Sequence, residues 1–233
     1  MTLPVAILAG GLATRLMPIT QTIPKALVDV AGKPFVVHQL ELLRAHGIRK
    51  VVLCLGHLAD QVEAALGDGS RYGIEIAYSH DGGTLLGTGG ALRIALPLLG
   101  ERFIVLYGDS YLPCDYGAVI RAFEASGTLG LMTVFRNDGR FDSSNVLFRD
   151  DRIVRYDKTD TAAMQHIDYG LGALRAEAFA GHPAGRLDLV TVYQDLVARD
   201  QLAGYVMQER FYEIGSPAGL EETRALIATL CGR

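Results

Sequence analysis

The sequence predicts an α/β fold with a mostly parallel central sheet. Short apolar runs alternate with amphipathic helical segments, beginning with a strand over 5–8, a helix over 35–43, a strand over 50–55 and a helix over 59–66. This alternation is typical of parallel strands joined by right-handed helical crossovers. The 233 residues are 49% hydrophobic and include 27 glycines, which suits a large core with many tight strand–helix turns.

The same pattern continues to about residue 125. We expect strands over 73–78 and 102–107, and helices over 91–99 and 117–125. A glycine cluster precedes the helix at 91, and we expect it to interrupt regular structure. Asp115 precedes the helix at 117 and is interpreted as a solvated or capping residue.

The pattern changes near residue 129. The segments expected there are a strand over 131–135, a hairpin of 145–148 with 152–156, a helix over 190–199, a strand over 205–207 and a terminal helix ending near Leu230. We therefore expect a single domain over 1–233, in which 129–233 adds antiparallel structure to the part formed by 1–128. No repeat or linker indicates a further C-terminal domain.

Charge and cysteine usage argue against several classes of protein. The net charge of -4 gives no reason to expect a nucleic acid or an anionic membrane as a partner. Cys54, Cys114 and Cys231 are scattered without disulfide or metal-ligand spacing, which indicates a reducing cytoplasm. No apolar run reaches membrane-spanning length, so we expect a soluble cytoplasmic protein.

The stretch 8–27 carries the strongest functional signal. Its first strand stops at Gly10 and Gly11, whose missing β carbons let the backbone turn sharply and approach a ligand. Consecutive N–H groups in such a turn form an anion site. Because Arg15 can bind phosphate oxygens in a bidentate way and Lys25 acts as a mobile point charge, we expect a polyphosphate ligand.

The glycine spacing of this stretch differs from two common phosphate-binding motifs. It is neither G-x-G-x-x-G nor G-x-x-x-x-G-K-[ST], which argues against a dinucleotide-dependent oxidoreductase and against a P-loop protein. The whole string instead resembles the signature of sugar-1-phosphate nucleotidylyltransferases, L-A-G-G-x-x-T-R-L-x-P-x-T-x-x-x-P-K-x-L, and every fixed position is present. This resemblance implies a Rossmann-like three-layer sandwich with a smaller antiparallel sugar-binding portion.

Two further segments of the first half resemble the same family. The run L-G-T-G-G-A at 86–91 is similar to a family segment that helps to hold the nucleotide base, which implies contacts from Gly87, Thr88 and Gly89. Asp109 follows the strand over 102–107 and resembles the aspartate of the family's G-D motif, which binds Mg²⁺. Mg²⁺ prefers one or two carboxylates together with phosphate oxygens, so the chemistry agrees with the resemblance.

The family's sugar-phosphate elements appear here in altered form. An E-K-P element corresponds to Asp157-Lys158-Thr159 and an N-x-G element to Asp168-Tyr169-Gly170, which implies sugar-phosphate contacts from Lys158, Asp168 and Gly170. The acid Asp168 stands where an amide is common.

The family's D-[IVTF]-G-[ST]-P element, whose acid is the second metal ligand, appears as Glu213–Pro217. Glu213 replaces the usual aspartate, and its extra methylene adds roughly 1.5 Å of reach. We expect Glu213 to bind the metal with either a recessed backbone or a different carboxylate geometry.

The resemblance implies that a sugar 1-phosphate oxygen attacks the α-phosphorus of a nucleoside triphosphate (NTP) and that pyrophosphate leaves. In this scheme Arg15 binds the departing β- and γ-phosphates, and Lys25 binds the α-phosphate and the sugar phosphate. Asp109 and Glu213 hold the Mg²⁺ cofactor. The expected nucleotide contacts are Leu8, Ala9, Gly10, Gly11, Gly87, Thr88, Gly89 and Asp109.

The base and the sugar stay open in the sequence. The segment 86–91 and the short chain look most like guanylyltransferases for mannose- or heptose-type 1-phosphates, which favours GTP. A uridylyltransferase that uses UTP and an amino-sugar or muramic-type 1-phosphate is the alternative. A catalytically silent nucleotide- or sugar-phosphate-binding regulator is a further alternative, and a homo-oligomer is compatible with the sequence.

Overall fold

The computed structural model describes residues 2–11 and 14–231. The strands of the main sheet are β1 (Val5–Leu8), β4 (Lys50–Leu55), β5 (Glu75–His80), β6 (Arg102–Tyr107), β8 (Gly130–Arg136), β9 (Val146–Arg149), β10 (Arg152–Tyr156), β11 (His166–Arg175) and β12 (Leu202–Met207). Two small hairpin-like pairs are formed by β2 (Asp29–Val30) with β3 (Lys33–Pro34), and by β7 (Ser110–Tyr111) with β13 (Tyr212–Glu213). The α-helices are α1 (Phe35–Ala45), α2 (Ala59–Leu66), α3 (Gly87–Leu99), α4 (Tyr116–Ser126), α5 (Leu189–Ala198) and α6 (Pro217–Cys231).

The main sheet is continuous, in the order β5-β4-β1-β6-β11-β8-β12-β10-β9. The first four strands in this order are parallel neighbours, and β12 is parallel to β8. Strand β11 runs antiparallel between β6 and β8, and β10 runs antiparallel between β12 and β9. The predicted α/β fold with a parallel and an antiparallel portion is confirmed, but the two portions are of equal extent, since four of the eight neighbouring strand pairs in the described residues are parallel and four are antiparallel.

Helices cover both faces of this sheet. On one face, α1, α2 and α4 pack through side chains such as Leu40, Val62 and Phe123. On the other face, α3 and α5 pack through side chains such as Leu92 and Leu196. Apolar side chains alternate between the two faces along each strand, so both helical layers bury the same strands. The result is the expected three-layer sandwich.

The glycines at 87, 89 and 90 are helical, so the expectation that the cluster interrupts regular structure is wrong there, although 81–86 is irregular. Helix α3 begins at Gly87, where φ is +73°. A β carbon at Gly87 would lie 2.7 Å from the Leu187 carbonyl oxygen, which accepts a hydrogen bond from Gly90 N–H at 2.9 Å. The glycines let a distant backbone segment pack directly on the helix, and this tertiary contact outweighs their low helix propensity.

The structure also tests the expectations for Asp115, for the strand near 205, for the cysteines and for membrane-spanning segments. Asp115 caps α4, because its carboxylate accepts a hydrogen bond from Ala118 N–H at 2.9 Å. Strand β12 begins at Leu202 rather than at 205, since its first residues pair with β8. Cys54 and Cys114 are buried free thiols, and the side chain of Cys231 lies outside the described residues. Among the helices described, none is long and apolar enough to span a membrane.

Candidate active site

The carboxyl ends of β1, β4 and β6 and the beginning of the antiparallel β11 meet at one edge of the sheet. A cleft of about 470 Å³ opens there. Ligands of open α/β sheets bind outside the carboxyl ends of the strands. The predicted residues that line the cleft are Leu8, Ala9, Gly10, Gly11, Lys25, Gly87, Thr88, Asp109 and Lys158.

Backbone hydrogen bonds hold the loop after β1 between its two neighbouring strands. Ala9 N–H donates to the Cys54 carbonyl of β4 at 3.0 Å. Gly108 N–H, which follows β6, donates to the Leu8 carbonyl at 3.0 Å. The two glycines after Ala9 are thereby fixed in the cleft lining, at the position where the sequence predicts phosphate binding.

Lys25 and Asp109 form an ion pair in the cleft wall. Lys25 Nζ lies 2.9 Å from Asp109 Oδ2, and the two side chains are only 19% and 30% exposed. Lys25 begins a short 3-10 turn, Lys25–Leu27, and Asp109 follows β6. The structure therefore brings together a predicted phosphate-binding cation and a predicted metal-binding carboxylate that are 84 residues apart in sequence.

Arg15, Asp109 and Glu213 converge on Gly215. A β carbon at Gly215 would lie 3.1 Å from Arg15 Nη2, 3.1 Å from Asp109 Oδ2 and 2.6 Å from Glu213 Oε2. Strand β13 pairs with β7, and Ile214 N–H donates to the Asp109 carbonyl at 2.9 Å. These backbone contacts hold the two acid-bearing segments side by side.

The Glu213 carboxylate turns onto the beginning of α6. It accepts hydrogen bonds from Gly215 N–H and from the Ser216 hydroxyl, the second at 2.6 Å. A β carbon at Gly219 would overlap Glu213 Oε1, so the first turn of the helix has room for the longer acid only because residue 219 is glycine. The extra methylene of Glu213 is taken up by a side chain that folds back on its own turn.

The two carboxylates near Gly215 are hard oxygen donors of the kind that Mg²⁺ prefers. Within residues 2–11 and 14–231, no three or more His, Cys, Asp or Glu side chains form a metal-binding group. A cation held by Asp109 and Glu213 would therefore take its other ligands from phosphate oxygens and water. This donor set fits Mg²⁺ bound together with a nucleotide.

The first turn of α3 forms another part of the cleft wall. Gly87 and Thr88 line the cleft, whereas Gly89 does not, because its α carbon faces the segment that precedes α5. A β carbon at Gly89 would lie 3.0 Å from Leu187 Cγ. Thr88 Oγ1 accepts a hydrogen bond from Leu189 N–H at 2.9 Å, so this hydroxyl caps α5.

Asp81 and Arg186 also line the cleft and were not among the residues predicted from the sequence. Asp81 follows β5 and accepts a hydrogen bond from Leu86 N–H through Oδ2 at 3.2 Å, and partial burial raises the pKa of its carboxyl. Arg186 lies in the segment 182–188, whose Gly185 carbonyl accepts a hydrogen bond from Arg93 of α3 at 2.9 Å. The exposed Arg186 side chain makes no ion pair or hydrogen bond within the described part of the chain.

Lys158 lies over the rings of Tyr107 and Tyr156, with its Nζ 5.8 Å and 5.9 Å from their centroids. It is exposed and forms no ion pair with any residue that the structure describes. Asp168 and Gly170 do not line the cleft. Asp168 instead binds the hydroxyls of the same two tyrosines, and Gly170 is buried with its N–H donating to Asp168 Oδ1 at 3.0 Å.

Gln39 supports the turn that carries Asp109. It is buried in α1, and its Nε2 donates to the carbonyls of Tyr107 at 3.2 Å and Ser110 at 2.8 Å, on either side of that turn. Its Oε1 is buried without a partner in the described residues. The sequence contained one signal for this role, since a glutamine interrupts the otherwise apolar face of the helix predicted over 35–43.

Cys54 lines the floor of the cleft but is not a nucleophile. Burial raises the pKa of its thiol to about 12, so the thiol stays protonated near neutral pH. The described site therefore offers cations, carboxylates and backbone groups. Groups of these kinds can bind and neutralise phosphates without a thiolate.

Known proteins are similar to this chain in sequence and in fold. The nucleotidyl transferase family matches residues 5–144. The N-acetylmuramate alpha-1-phosphate uridylyltransferase of Neisseria meningitidis serogroup B is 33% identical over 227 residues, which cover 94% of this chain and 96% of the relative. The enzyme of the same name from Caulobacter vibrioides is 30% identical, over 95% of this chain and 96% of the relative. The crystal structure of HddC from Yersinia pseudotuberculosis complexed with GMP-PN has a TM-score of 0.82 at 23% identity, covering 97% of this chain and 100% of that one.

Proposed function

The chain belongs to the nucleotidyl transferase family and is a sugar-1-phosphate nucleotidylyltransferase, and we propose that it transfers a uridylyl group from UTP to N-acetylmuramate 1-phosphate. The observation that carries this proposal is the similarity to two enzymes of that name along almost their whole length. Such a match includes the second half of the chain, which the family signature at 8–27 does not reach. GTP with a mannose or heptose 1-phosphate is an outcome of the test below, because the structure complexed with GMP-PN is 23% identical to this chain and shows the fold alone.

The proposed reaction needs two anions held in line while charge on the transferring phosphoryl group is neutralised. An oxygen of the sugar 1-phosphate attacks the α-phosphorus, the bond to the β-phosphate oxygen breaks and pyrophosphate leaves. Arg15 binds the departing phosphates, and Lys25 binds the α-phosphate and the sugar phosphate. The nucleophile is already an anion, so no general base is required.

Lys158 and Arg186 are proposed to bind the sugar 1-phosphate. Both line the cleft, and neither has an ion-pair partner in the described residues, so both charges are available to a ligand. The lactyl carboxylate of a muramic sugar adds a second anion, which further favours a site with two such cations. In this scheme 1–128 contributes the nucleotide contacts and 129–233 most of the sugar-phosphate contacts.

Asp109 and Glu213 are proposed to hold Mg²⁺. When bound, the cation neutralises phosphate charge in the transition state. If Asp109 held a metal through Oδ2, the Lys25–Asp109 ion pair would loosen and the Lys25 ammonium would become available to a phosphate.

The loop after β1 and the first turn of α3 are proposed to hold the nucleotide, through Gly10, Gly11, Gly87 and Thr88. Asp81 lines the same cleft, and one of its oxygens already accepts from Leu86 N–H. Its other oxygen can accept one N–H, which matches the single N–H that uracil presents between its two carbonyl groups.

The experiment is a matrix of ATP, CTP, GTP and UTP against several sugar 1-phosphates, read as pyrophosphate formed with Mg²⁺ or with a chelator. We expect UTP with N-acetylmuramate 1-phosphate to react fastest, and chelation to stop the reaction. Faster turnover of GTP with mannose or heptose 1-phosphate would replace the proposed substrates. No pyrophosphate from any pair, together with measurable nucleotide binding, would support a catalytically silent binding protein instead.

A further inference from the structure

Asp168 is surrounded by donors from the protein itself. Its Oδ2 accepts hydrogen bonds from the hydroxyls of Tyr107 at 2.8 Å and Tyr156 at 3.0 Å. Its Oδ1 accepts from Gly170 N–H at 3.0 Å, and its own N–H donates to Asn145 Oδ1 at 2.8 Å. Each carboxylate oxygen of Asp168 therefore accepts at least one hydrogen bond from the protein itself.

The backbone of β11 is shaped to produce this arrangement. The register between β11 and β8 shifts after Asp168, which pairs with Val134, and resumes at Gly172, which pairs with Met132. Within this bulge Gly170 has a φ of +94°, a conformation that glycine adopts without strain. The bulge turns Gly170 N–H back onto the Asp168 carboxylate.

The donor count explains why an acid suits this position better than an amide. An asparagine offers one acceptor oxygen and an NH₂ group, whereas the site presents three donors. With its oxygen toward the two hydroxyls, the amide would face Gly170 N–H with another donor. A carboxylate accepts all three, and charge-assisted hydrogen bonds of this kind are about twice as strong as neutral ones.

The two tyrosines that Asp168 holds are the ones that contact Lys158. Lys158 Nζ lies within about 6 Å of both ring centroids, the range in which a cation is attracted to an aromatic face. Tyr107 belongs to β6 and Tyr156 to β10, so their relative position depends on a link between two non-neighbouring strands. Asp168 of β11 supplies that link.

We propose that Asp168 is a positioning residue, which acts through Tyr107 and Tyr156 to place the Lys158 ammonium where the sugar phosphate binds, and that it is not itself a sugar ligand. The proposal rests on the proposed function in one respect, the assignment of Lys158 to the sugar phosphate. It revises the sugar contact that the altered N-x-G element implies for Asp168.

The test measures steady-state kinetics of Asp168→Asn, Lys158→Ala and the double variant, with the best substrate pair of the matrix above. We expect Asp168→Asn to raise the KM of the sugar 1-phosphate about tenfold, since losing a cation–aromatic contact changes an equilibrium constant by about 2- to 30-fold and so lowers the fraction of the protein in which the Lys158 ammonium is in place. The KM of the NTP should change less than twofold. On the Lys158→Ala background, Asp168→Asn should have almost no further effect, because its consequence passes through Lys158.

Tyr107→Phe and Tyr156→Phe, which remove one hydroxyl each, keep the proposal falsifiable if Asp168→Asn folds poorly. Each should raise the KM of the sugar phosphate by a few-fold in the presence of Lys158 and have no effect in its absence. Asp160→Asn is the matched control, because Asp160 is exposed and binds Arg155 rather than a tyrosine. Its kinetics should equal those of the parent protein.

Additive effects of Asp168→Asn and Lys158→Ala, with no effect of either tyrosine variant, would overturn the inference and restore Asp168 as a direct sugar ligand. Failure of the proposed function looks different. In that case the parent protein itself would form no pyrophosphate with any substrate pair, before a variant is compared.

Discussion

The two walls of the cleft are built in different ways. The wall formed by the loops after β1 and β6 is made of neighbouring backbone segments, in which Ala9 and Gly108 continue the hydrogen bonding of the sheet. The wall formed by Tyr107 and by Lys158, which follows β10, is supported by side chains, because Asp168 of β11 joins tyrosines from two other strands behind it. We call these the backbone wall and the side-chain wall.

This difference determines what each wall can tolerate. A backbone wall depends on a few glycines and on charged residues close to them in sequence, so its chemistry is concentrated in consecutive positions. A side-chain wall depends on hydrogen bonds between positions far apart in sequence, so one substitution changes the geometry of several groups. We expect substitutions at the first wall to change turnover and those at the second to change the affinity for the sugar phosphate.

The largest effect is expected on the backbone wall, from Arg15→Ala. Arg15 is exposed beside Asp109 and Glu213, and its loss should lower kcat by about 10²–10³, the range for removing one donor that stabilises transition-state charge. Thermal unfolding should be unchanged, since the side chain is not part of the core. The measurement is pyrophosphate release at saturating substrates.

Arg199→Ala is the matched control for Arg15→Ala. Arg199 is also an exposed arginine, but it pairs with Asp195 at the end of α5, before β12 begins and thus at the opposite edge of the sheet. The kcat of the Arg199→Ala variant should equal that of the parent protein. An unchanged kcat in Arg15→Ala would remove Arg15 from the mechanism and leave Lys25 as the principal cation of this wall.

The same contrast explains how much of the molecule was predictable. Local sequence patterns predict the sheet, the edge at which the cleft opens, and the residues Lys25 and Asp109. These patterns are apolar periodicity and short motifs, both of which lie in residues close together in sequence. The start of α3 at Gly87 was not predictable, because it depends on a contact with the Leu187 carbonyl, 100 residues later in the sequence. The partners of Asp168 were not predictable for the same reason.

A second large effect is expected from Gly219→Ala, which tests whether the position of the Glu213 carboxylate, the proposed second metal ligand, depends on packing against α6. The added methyl group would overlap Glu213 Oε1 and must displace the carboxylate. A displacement of about 1 Å can cost on the order of 100-fold in rate, so we expect kcat to fall by about that factor. In a Glu213→Asp background the shorter side chain no longer reaches the position of the added methyl group. Gly219→Ala should then have a much smaller effect on kcat.

The control for Gly219→Ala is Gly117→Ala, in the first turn of α4. A β carbon there would lie 3.1 Å from Arg121 Nη1 and 3.1 Å from Asp115 Oδ1, the oxygen that caps α4. The variant should leave activity unchanged, and the preference of helices for alanine over glycine, up to about 1 kcal/mol, should offset any loosening of the cap. Equal losses from Gly219→Ala in both backgrounds would show that the helix, and not Glu213, responds to the methyl group.

An intermediate effect is expected from Gln39→Leu, which removes side-chain support from the backbone wall. The carbonyls of Tyr107 and Ser110 lose their Gln39 donor, and a buried polar group left unsatisfied costs about 1–3 kcal/mol. The midpoint of thermal unfolding should fall by roughly 2–10 °C for a chain of this size. Activity should require more Mg²⁺ as the Asp109 turn becomes less well positioned.

Glu41→Leu serves as the control, because Glu41 is an exposed residue of the same helix and forms an ion pair with Lys33 at the surface. It should change the unfolding midpoint little and leave the Mg²⁺ requirement unchanged. A Gln39→Leu variant with lower stability and an unchanged Mg²⁺ requirement would assign Gln39 to the core alone.

The smallest effect is expected from Thr88→Val. Thr88 lies in the first half of the chain and caps α5, a helix of the second half. Thr88 Oγ1 accepts from Leu189 N–H at the start of α5, and losing a helix cap costs about 1 kcal/mol, or roughly 2–4 °C in the unfolding midpoint. Thr88→Ser retains the hydroxyl and should retain the stability, whereas Thr191→Val, on the exposed side of α5, should be neutral. If Thr88→Val were as stable as Thr88→Ser, the hydroxyl would be free to act on the nucleotide. The first turn of α3 would then belong to the ligand site alone and would not join the two walls.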